Sequence, residues 1–425
     1  MVLTIIAAAF VLSILIITHE LGHYAAARSV GVRVLRFSLG LGPRIAGFKK
    51  GDTDYAVSMV PFGGYVKLAG TEDTQSEGKD DEFASKSTPA KIWILLSGPL
   101  ANLVLAFFLY LMIASAIGTS VLEATRVGYV EPGSAAFDAG IQEGDEILMV
   151  GDKAVSNWNE IAEEVARQTE GAGVKVKRDG DELWLVMEPQ KETGITPLID
   201  PIVGRVQKGS PAEKVGLEEG DRILAVGNRK VERWEDLIET IQSSPDSSLE
   251  IVWVRDARVE SAAVVPKSQL SLETGEAQRI GVIGISMNVT RVRLPFFSAA
   301  RVSSDTVLWV GQQIFGFLGK LITGRASVKM LGGGLFIAKM AGETARWGLD
   351  SLLNFMAFLS INLFIINLFP IPMLDGGNVV YHLTEAIRGK PLSLRQKTIT
   401  QQIGLVILIV IIAFVLLMDI MRLAQ

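Results

Sequence analysis

Residues Val2 to Thr18 carry no charge, and they run without a break into His19-Glu20-Leu21-Gly22-His23. An apolar run of this length folds as a helix in lipid, because every backbone polar group must be paired within the segment. Histidines four apart then share one helix face, so both imidazoles can reach a single Zn²⁺ while the adjacent carboxylate handles water. The first following charge, Arg28, lies about 13 Å further along such a helix, which sets the motif below the lipid surface. Two histidines and a glutamate in an apolar span are costly unless they have partners or a task. The combination points to metal-assisted hydrolysis within a membrane.

The chain is 49% hydrophobic yet 20% charged over 425 residues, so it mixes membrane and aqueous parts. It has no cysteine, which excludes disulfides, thiolate ligands and a cysteine nucleophile. Two of its three histidines sit in the motif, which turns the search for a third ligand towards carboxylates. Four stretches are apolar enough to span a bilayer: about 2–25, 92–117, 351–369 and 403–418. The first lacks a basic leader and continues directly into the motif, so it reads as retained. Arg28, Arg33, Arg36, Arg44, Lys49 and Lys50 follow it before any acidic residue, and Arg388, Lys390, Arg395 and Lys397 crowd the loop before the last span. Both loops are therefore expected on the cytoplasmic side, with both termini and residues 119–293 opposite. That central block holds 20 Lys+Arg against 31 Asp+Glu, which gives no ground for nucleic-acid binding.

The block contains a duplication with an offset of 76 residues: Val130 to Gly151 matches Val206 to Gly227, and Trp158 matches Trp234. In each copy a small-residue helix ending at glycine leads to Gly144-Asp145 or Gly220-Asp221, then to an alternating strand and a helix starting near the tryptophan. The pattern resembles the bacterial, circularly permuted PDZ domain. Such domains take up extended chain ends by strand addition, so the grooves either bind peptide C-termini or serve only as a steric gate.

Pro370 and Pro372, two apart, break the third span and are expected to leave Asp375 on irregular backbone, where it can complete a His₂Asp set with one position left for water. Asp-Gly is also a common turn. The HExxH in the first span, the Asn367-Leu-Phe-Pro370-Ile-Pro372-Met-Leu374-Asp375-Gly376 run, and the tandem insert between them together resemble the site-2 protease family of intramembrane zinc metalloproteases over essentially the whole chain. The resemblance implies zinc held by His19, His23 and Asp375, and Glu20 as general base. It also implies that Asn367 and Asn362 help hold substrate, although interhelical hydrogen bonding would equally account for them.

Between the first two spans, 37–42 and 55–67 read as glycine-rich hairpins. The family has a membrane-reentrant β-loop there that receives substrate as an added strand, which makes Gly63 and Gly64 candidate substrate contacts; a plain cytoplasmic hairpin is the alternative. Ser97-Gly98-Pro99-Leu-Ala101-Asn102 suits close helix packing, residues 297–322 read as an amphipathic interfacial helix, Gly332-Gly333-Gly334 as a hinge or linker, and His382 as a loop residue without a companion ligand.

The expected architecture is a polytopic α-helical membrane protein with four transmembrane helices, a membrane-associated β-hairpin region and two tandem circularly permuted PDZ domains. Its parts are 1–118 (N-terminal catalytic half), 119–197 and 198–293 (PDZ domains), 294–350 (interfacial helix and linker) and 351–425 (C-terminal membrane half). By resemblance it sits in a bacterial inner membrane and cuts the span of a single-pass anti-sigma factor already shortened on the periplasmic side, with remnant signal peptides as a second substrate class. The PDZ pair would exclude substrates that keep a bulky outer domain. Two rivals are a non-catalytic PDZ scaffold with a structural zinc and a metal transporter. Glu20 and the open fourth position count against the first, and spans nearly free of further ionisable residues up to Asp419 count against the second.

Overall fold

A computed structural model describes all residues except Met1, 72–76, 169–170, 189–192, 272–277, Pro391 and Gln425. The chain divides into two units: Met1–Ile117 with Leu294–Gln425, and Gly118–Arg293.

All four expected spans of the first unit are helices long and apolar enough to cross a membrane: Val2–Ser29 (α1), Thr88–Ile117, Leu349–Leu368 and Arg395–Met421. In the second span, helix α2 (Thr88–Met112) passes into a π-helical turn, Ile113–Ile117. Val11 and Leu15 of α1, Ala106 and Leu109 of α2, and Met356, Ile361 and Ile365 of the third span form the core, joined by Val310 and Ile314. The last two lie on the helix Phe296–Ile322, whose Phe297, Leu308, Trp309 and Phe315 stay exposed. One face packed and one apolar face bare fits a helix lying at a lipid boundary. Close approach rests on small residues, for a Cβ on Gly22 would lie 2.1 Å from the Ser97 carbonyl oxygen and one on Gly342 would lie 2.4 Å from Thr4 Oγ1.

The fourth span exposes Val406, Val410 and Ile412 and is fastened at points along its length. Gly404 packs on Pro372. Buried Asp419 accepts the backbone N–H groups of Gly333, Leu335 and Phe336 at 3.0, 3.1 and 3.1 Å, where the helix Gly334–Trp347 begins. A carboxylate is well placed at a helix N-terminus. Gly333 is thus no simple hinge: its Cβ would lie 2.5 Å from Asp419 Oδ2, so glycine is needed for the clasp to close.

Strands β1 (Val34–Lys50) and β2 (Thr53–Leu68) make one sheet folded back on itself. Phe37 lies opposite both Tyr55 and Val66, and Phe48 opposite Tyr55, so the rows run 64–68, 34–39, 53–57, 46–50. Both glycine-rich segments are strands, as expected, but they share a sheet. Asp54 holds it together by pairing with Arg36 at 2.9 Å and Arg44 at 3.3 Å.

In the second unit the duplication is visible strand by strand. One four-stranded sheet runs Lys153–Ala154, Glu146–Val150, Ala172–Arg178, Asp181–Met187; the other runs Arg229–Lys230, Arg222–Val226, Leu249–Arg255, Arg258–Val264. Helices Trp158–Arg167 and Trp234–Gln242 follow at the expected places. Gly140 and Gly216 both have φ of +83°, as a helix-ending glycine requires. The invariant Gly-Asp acquires a reason in the structure. Buried Asp145 takes two hydrogen bonds of 2.7 Å from Arg178, which also donates to the Gly140 carbonyl; Asp221 and Arg255 repeat the arrangement with Gly216. The carboxylate raises the pKa of each arginine. Asp221→Asn should cost about 2–3 kcal/mol of local stability, read as faster amide exchange in strand Leu249–Arg255 of the intact chain; unchanged exchange would contradict it. Thr119–Val121 and Thr290–Val292 pair as antiparallel strands, so the unit begins and ends at one place.

Candidate metal centre

His19 and His23 stand one turn apart on α1, and Asp375 opens the helix Asp375–Arg388. The expectation of irregular backbone at Asp375 is corrected here: the break occupies Phe369 to Leu374, and a new helix starts at the aspartate itself. Met373 carries the strain of that break, with φ of +83°. Gly376 and Gly377 let the first turn fold onto the break, since their Cβ atoms would lie 2.3 and 2.2 Å from the carbonyl oxygens of Leu368 and Ile371.

The three side chains converge. His19 Nε2 and His23 Nε2 are 3.1 Å apart, His19 Nε2 is 3.2 Å from Asp375 Oδ2, and His23 Nε2 is 3.5 Å from Asp375 Oδ1. Ligand atoms around a tetrahedral zinc at its usual bond lengths sit about 3.3 Å from one another, so the set fits that ion. It is the group of three metal-capable side chains that converges among the described residues. His23 donates from Nδ1 to the Ile94 carbonyl at 2.8 Å, which leaves Nε2 free as a ligand. Pro99, inside α2, supplies no N–H to the same stretch of helix. Gly98 is the floor of the site: a Cβ there would lie 2.3 Å from His23 Nε2 and 2.9 Å from His19 Cε1. The packing motif read from Ser97 to Asn102 therefore borders the histidines.

Glu20 faces the β-sheet. The Val66 N–H points towards its carboxylate, and a Cβ on Gly64 would lie 3.2 Å from its Cγ. Row 64–68 is an edge of the sheet among the described residues. Because backbone groups alternate along a strand, Gly64 turns its N–H and C=O the same way as Val66. Gly63, with φ of +104°, lies against Leu41 instead. Asn362 bonds back to the Phe358 carbonyl of its own helix at 3.0 Å, and Asn367 lies half-buried in the last turn before the break.

His382 is not in a loop. It lies two turns beyond Asp375 on the same helix, edge-on to Phe83 at 5.7 Å, with Nδ1 3.1 Å from Glu385 Oε2. Glu385 also accepts from Lys397 and the Leu392 N–H, both at 3.1 Å. Burial pushes the His382 pKa down despite that carboxylate, with Lys91 and Lys397 adding to the fall. Burial works against ionised Glu385, yet Leu392, Lys397 and His382 together hold it below its usual range. Both groups bind protons less readily folded than unfolded, so the stability they lend is full above about pH 6.5. It falls as acid protonates the unfolded histidine first and the carboxylate later. Corrected for the intrinsic exchange rate, the protection of amides over 382–390 should fall from pH 7.5 to 5.5, and His382→Gln should flatten that slope; an equally steep slope in the variant would refute the assignment.

A metal-capable triad beside a carboxylate inside an apolar bundle defines a membrane-embedded metallohydrolase. Residues 7–411 match the model of peptidase family M50. The chain is 34% identical over 447 residues to a Neisseria meningitidis protein named as a zinc metalloprotease, with 99% of each chain covered. It is 31% identical over 445 residues to the regulator of sigma-E protease RseP of Escherichia coli K12 and 32% identical over 442 residues to the regulator of sigma E protease of Haemophilus influenzae, with 97% of each chain covered in both cases. A solved PDZ domain of an SdrC-like protein from Listeria monocytogenes is similar to 20% of this chain and 84% of its own length, at 22% identity and a TM-score of 0.17. The chain belongs to peptidase family M50 and is a zinc metalloendopeptidase.

Proposed function

We propose that His19, His23 and Asp375 hold the catalytic zinc, that Glu20 is the general base, and that the substrate is the span of a single-pass membrane protein. The observation that carries this reading is the convergence of the triad with Glu20 beside an open strand edge, within a bundle of apolar helices. Zinc supplies Lewis-acid polarisation of the scissile carbonyl and acidifies water. Glu20 takes the proton of the attacking water and delivers it to the leaving amine. A transmembrane helix hides its peptide bonds in its own hydrogen bonds, so the segment to be cut must unwind and find new partners. The edge at Gly64 and Val66 provides them by strand addition, and Asn367 and Asn362 are further contacts for the unwound chain.

The relatives named as regulators of sigma-E support a place in the envelope stress response; the substrate in this reading is an anti-sigma factor already cut once on the periplasmic side. In this reading residues 119–197 and 198–293 are circularly permuted PDZ domains in the periplasm, where both termini also lie, and they bind peptide ends or bar substrates with a bulky outer domain. The test is reconstitution in lipid vesicles with a single-span reporter. Wild-type protein cuts, chelation stops it, and zinc restores it; uncut reporter with zinc-loaded protein would leave the scaffold reading instead.

A further inference from the structure

Two buried polar groups beside the zinc ligands have no partner. Nδ1 of His19 makes no hydrogen bond, and neither does Oδ1 or Nδ2 of Asn102, a residue of α2 that is completely buried. The Ser360 hydroxyl donates to the Asn102 main-chain carbonyl at 2.7 Å and leaves its amide unused. An unpaired buried polar group is costly, and such groups in native structures call for an explanation.

The register of the two helices places these orphans at the same level. Positions 94, 98, 102 and 106 of α2 fall on one face, as do 23, 19, 15 and 11 of α1. The Ile94 carbonyl accepts from His23, Gly98 touches both histidines, and Ala106 shares a core with Leu15 and Val11. Asn102 lies between Gly98 and Ala106, and His19 lies between His23 and Leu15. Gly98 sits between His23 and His19, so one turn further along α2 Asn102 falls between His19 and Leu15, and His19 is the polar member of that pair.

We infer that Asn102 is the positioning residue for His19: its Oδ1 accepts the Nδ1–H, either directly after a small rotamer change or across one trapped water. That bond fixes the tautomer with the Nε2 lone pair turned to the metal and holds the ring in place, as the Ile94 carbonyl does for His23. α2 would then supply the outer hydrogen-bond partner of both imidazoles, one from its backbone and one from a side chain. The inference rests on the His₂Asp reading of the metal centre.

The test measures zinc affinity of the full-length protein by chelator competition, without reference to proteolysis, together with the visible spectrum of the cobalt(II)-loaded form. Asn102→Leu keeps the branching of the side chain and removes the acceptor; it should bind zinc about 10–100-fold more weakly and alter the cobalt bands. Asn102→Asp keeps an acceptor and should bind zinc at least as tightly as wild type. A leucine variant with wild-type affinity and spectrum overturns the inference. If that variant does not fold, the aspartate variant decides alone, and weakened zinc binding in it overturns the inference. Asn102 acting on substrate instead would leave zinc affinity unchanged and raise KM in the leucine variant, which also overturns it. A wild-type protein that takes up no zinc would fail the metal reading itself and end both claims.

Discussion

Glu20→Gln should bind one zinc per chain with wild-type affinity and lose at least about 10²–10⁴-fold in cleavage rate. The substitution keeps the shape of the side chain and an oxygen on the side of the Val66 N–H, so the packing of the helix against Gly64 survives. What disappears is the ability to take a proton from water. None of the three ligand side chains changes, and their separations of 3.1 to 3.5 Å do not depend on residue 20. Zinc content measured beside reporter cleavage separates the outcomes. Zinc loss with the variant would make Glu20 part of the binding set, and retained cleavage would remove it as the base.

Gly98→Ala should be nearly as severe, although it adds only one methyl group. In an ordinary exposed helix that change stabilises by about 1 kcal/mol. Here the new carbon would sit 2.3 Å from His23 Nε2 and 2.5 Å from its Cε1, well inside contact distance. α2 cannot simply back away, because it also packs against the third span, where the Ser360 hydroxyl donates to the Asn102 carbonyl at 2.7 Å. The imidazole has to turn, and with it the lone pair aimed at the metal. Zinc affinity is expected to fall about 10–100-fold, with cleavage down by about 10²-fold or more from misplacement alone. Thermal unfolding in detergent should move little by comparison. Wild-type zinc affinity in this variant would mean that the two helices have more slack than their packing implies.

The four spans, the His-Glu-His helix and the duplicated insert were legible because each rests on a periodic or compositional signal along the chain. Asp375 was legible as a candidate from the proline break and the want of a third histidine beside the motif, and the family resemblance strengthened it; its nearness to the histidines was not, since helix packing brings together residues far apart in the chain. The helix that begins at Asp375 was hidden by two prolines, whose local preference is to end helices; Gly376 and Gly377 overcome that by letting the new turn settle on the break. Gly98 read as a packing residue, and nothing in its neighbours announced that the surface packed against is a metal site. The partners of Asp145 and Asp221 also escaped notice. Arg178 and Arg255 lie outside the best-matching stretch of the duplication, though they keep nearly the same offset, and that was the available signal. His382 read as a loop residue because its ring partner Phe83 comes from far away in the chain, although Glu385, three residues on, was the available signal of a helix.

Thr119–Val121 and Thr290–Val292 zip the two ends of the central insert together. A polypeptide excursion of this kind leaves and rejoins its host through a single narrow stalk, so its interior can be lengthened, duplicated or swapped without asking the host to refold. The doubling of one module into two is the sort of change such a stalk tolerates. Sequence change within the insert can therefore accumulate while the host unit keeps its packing.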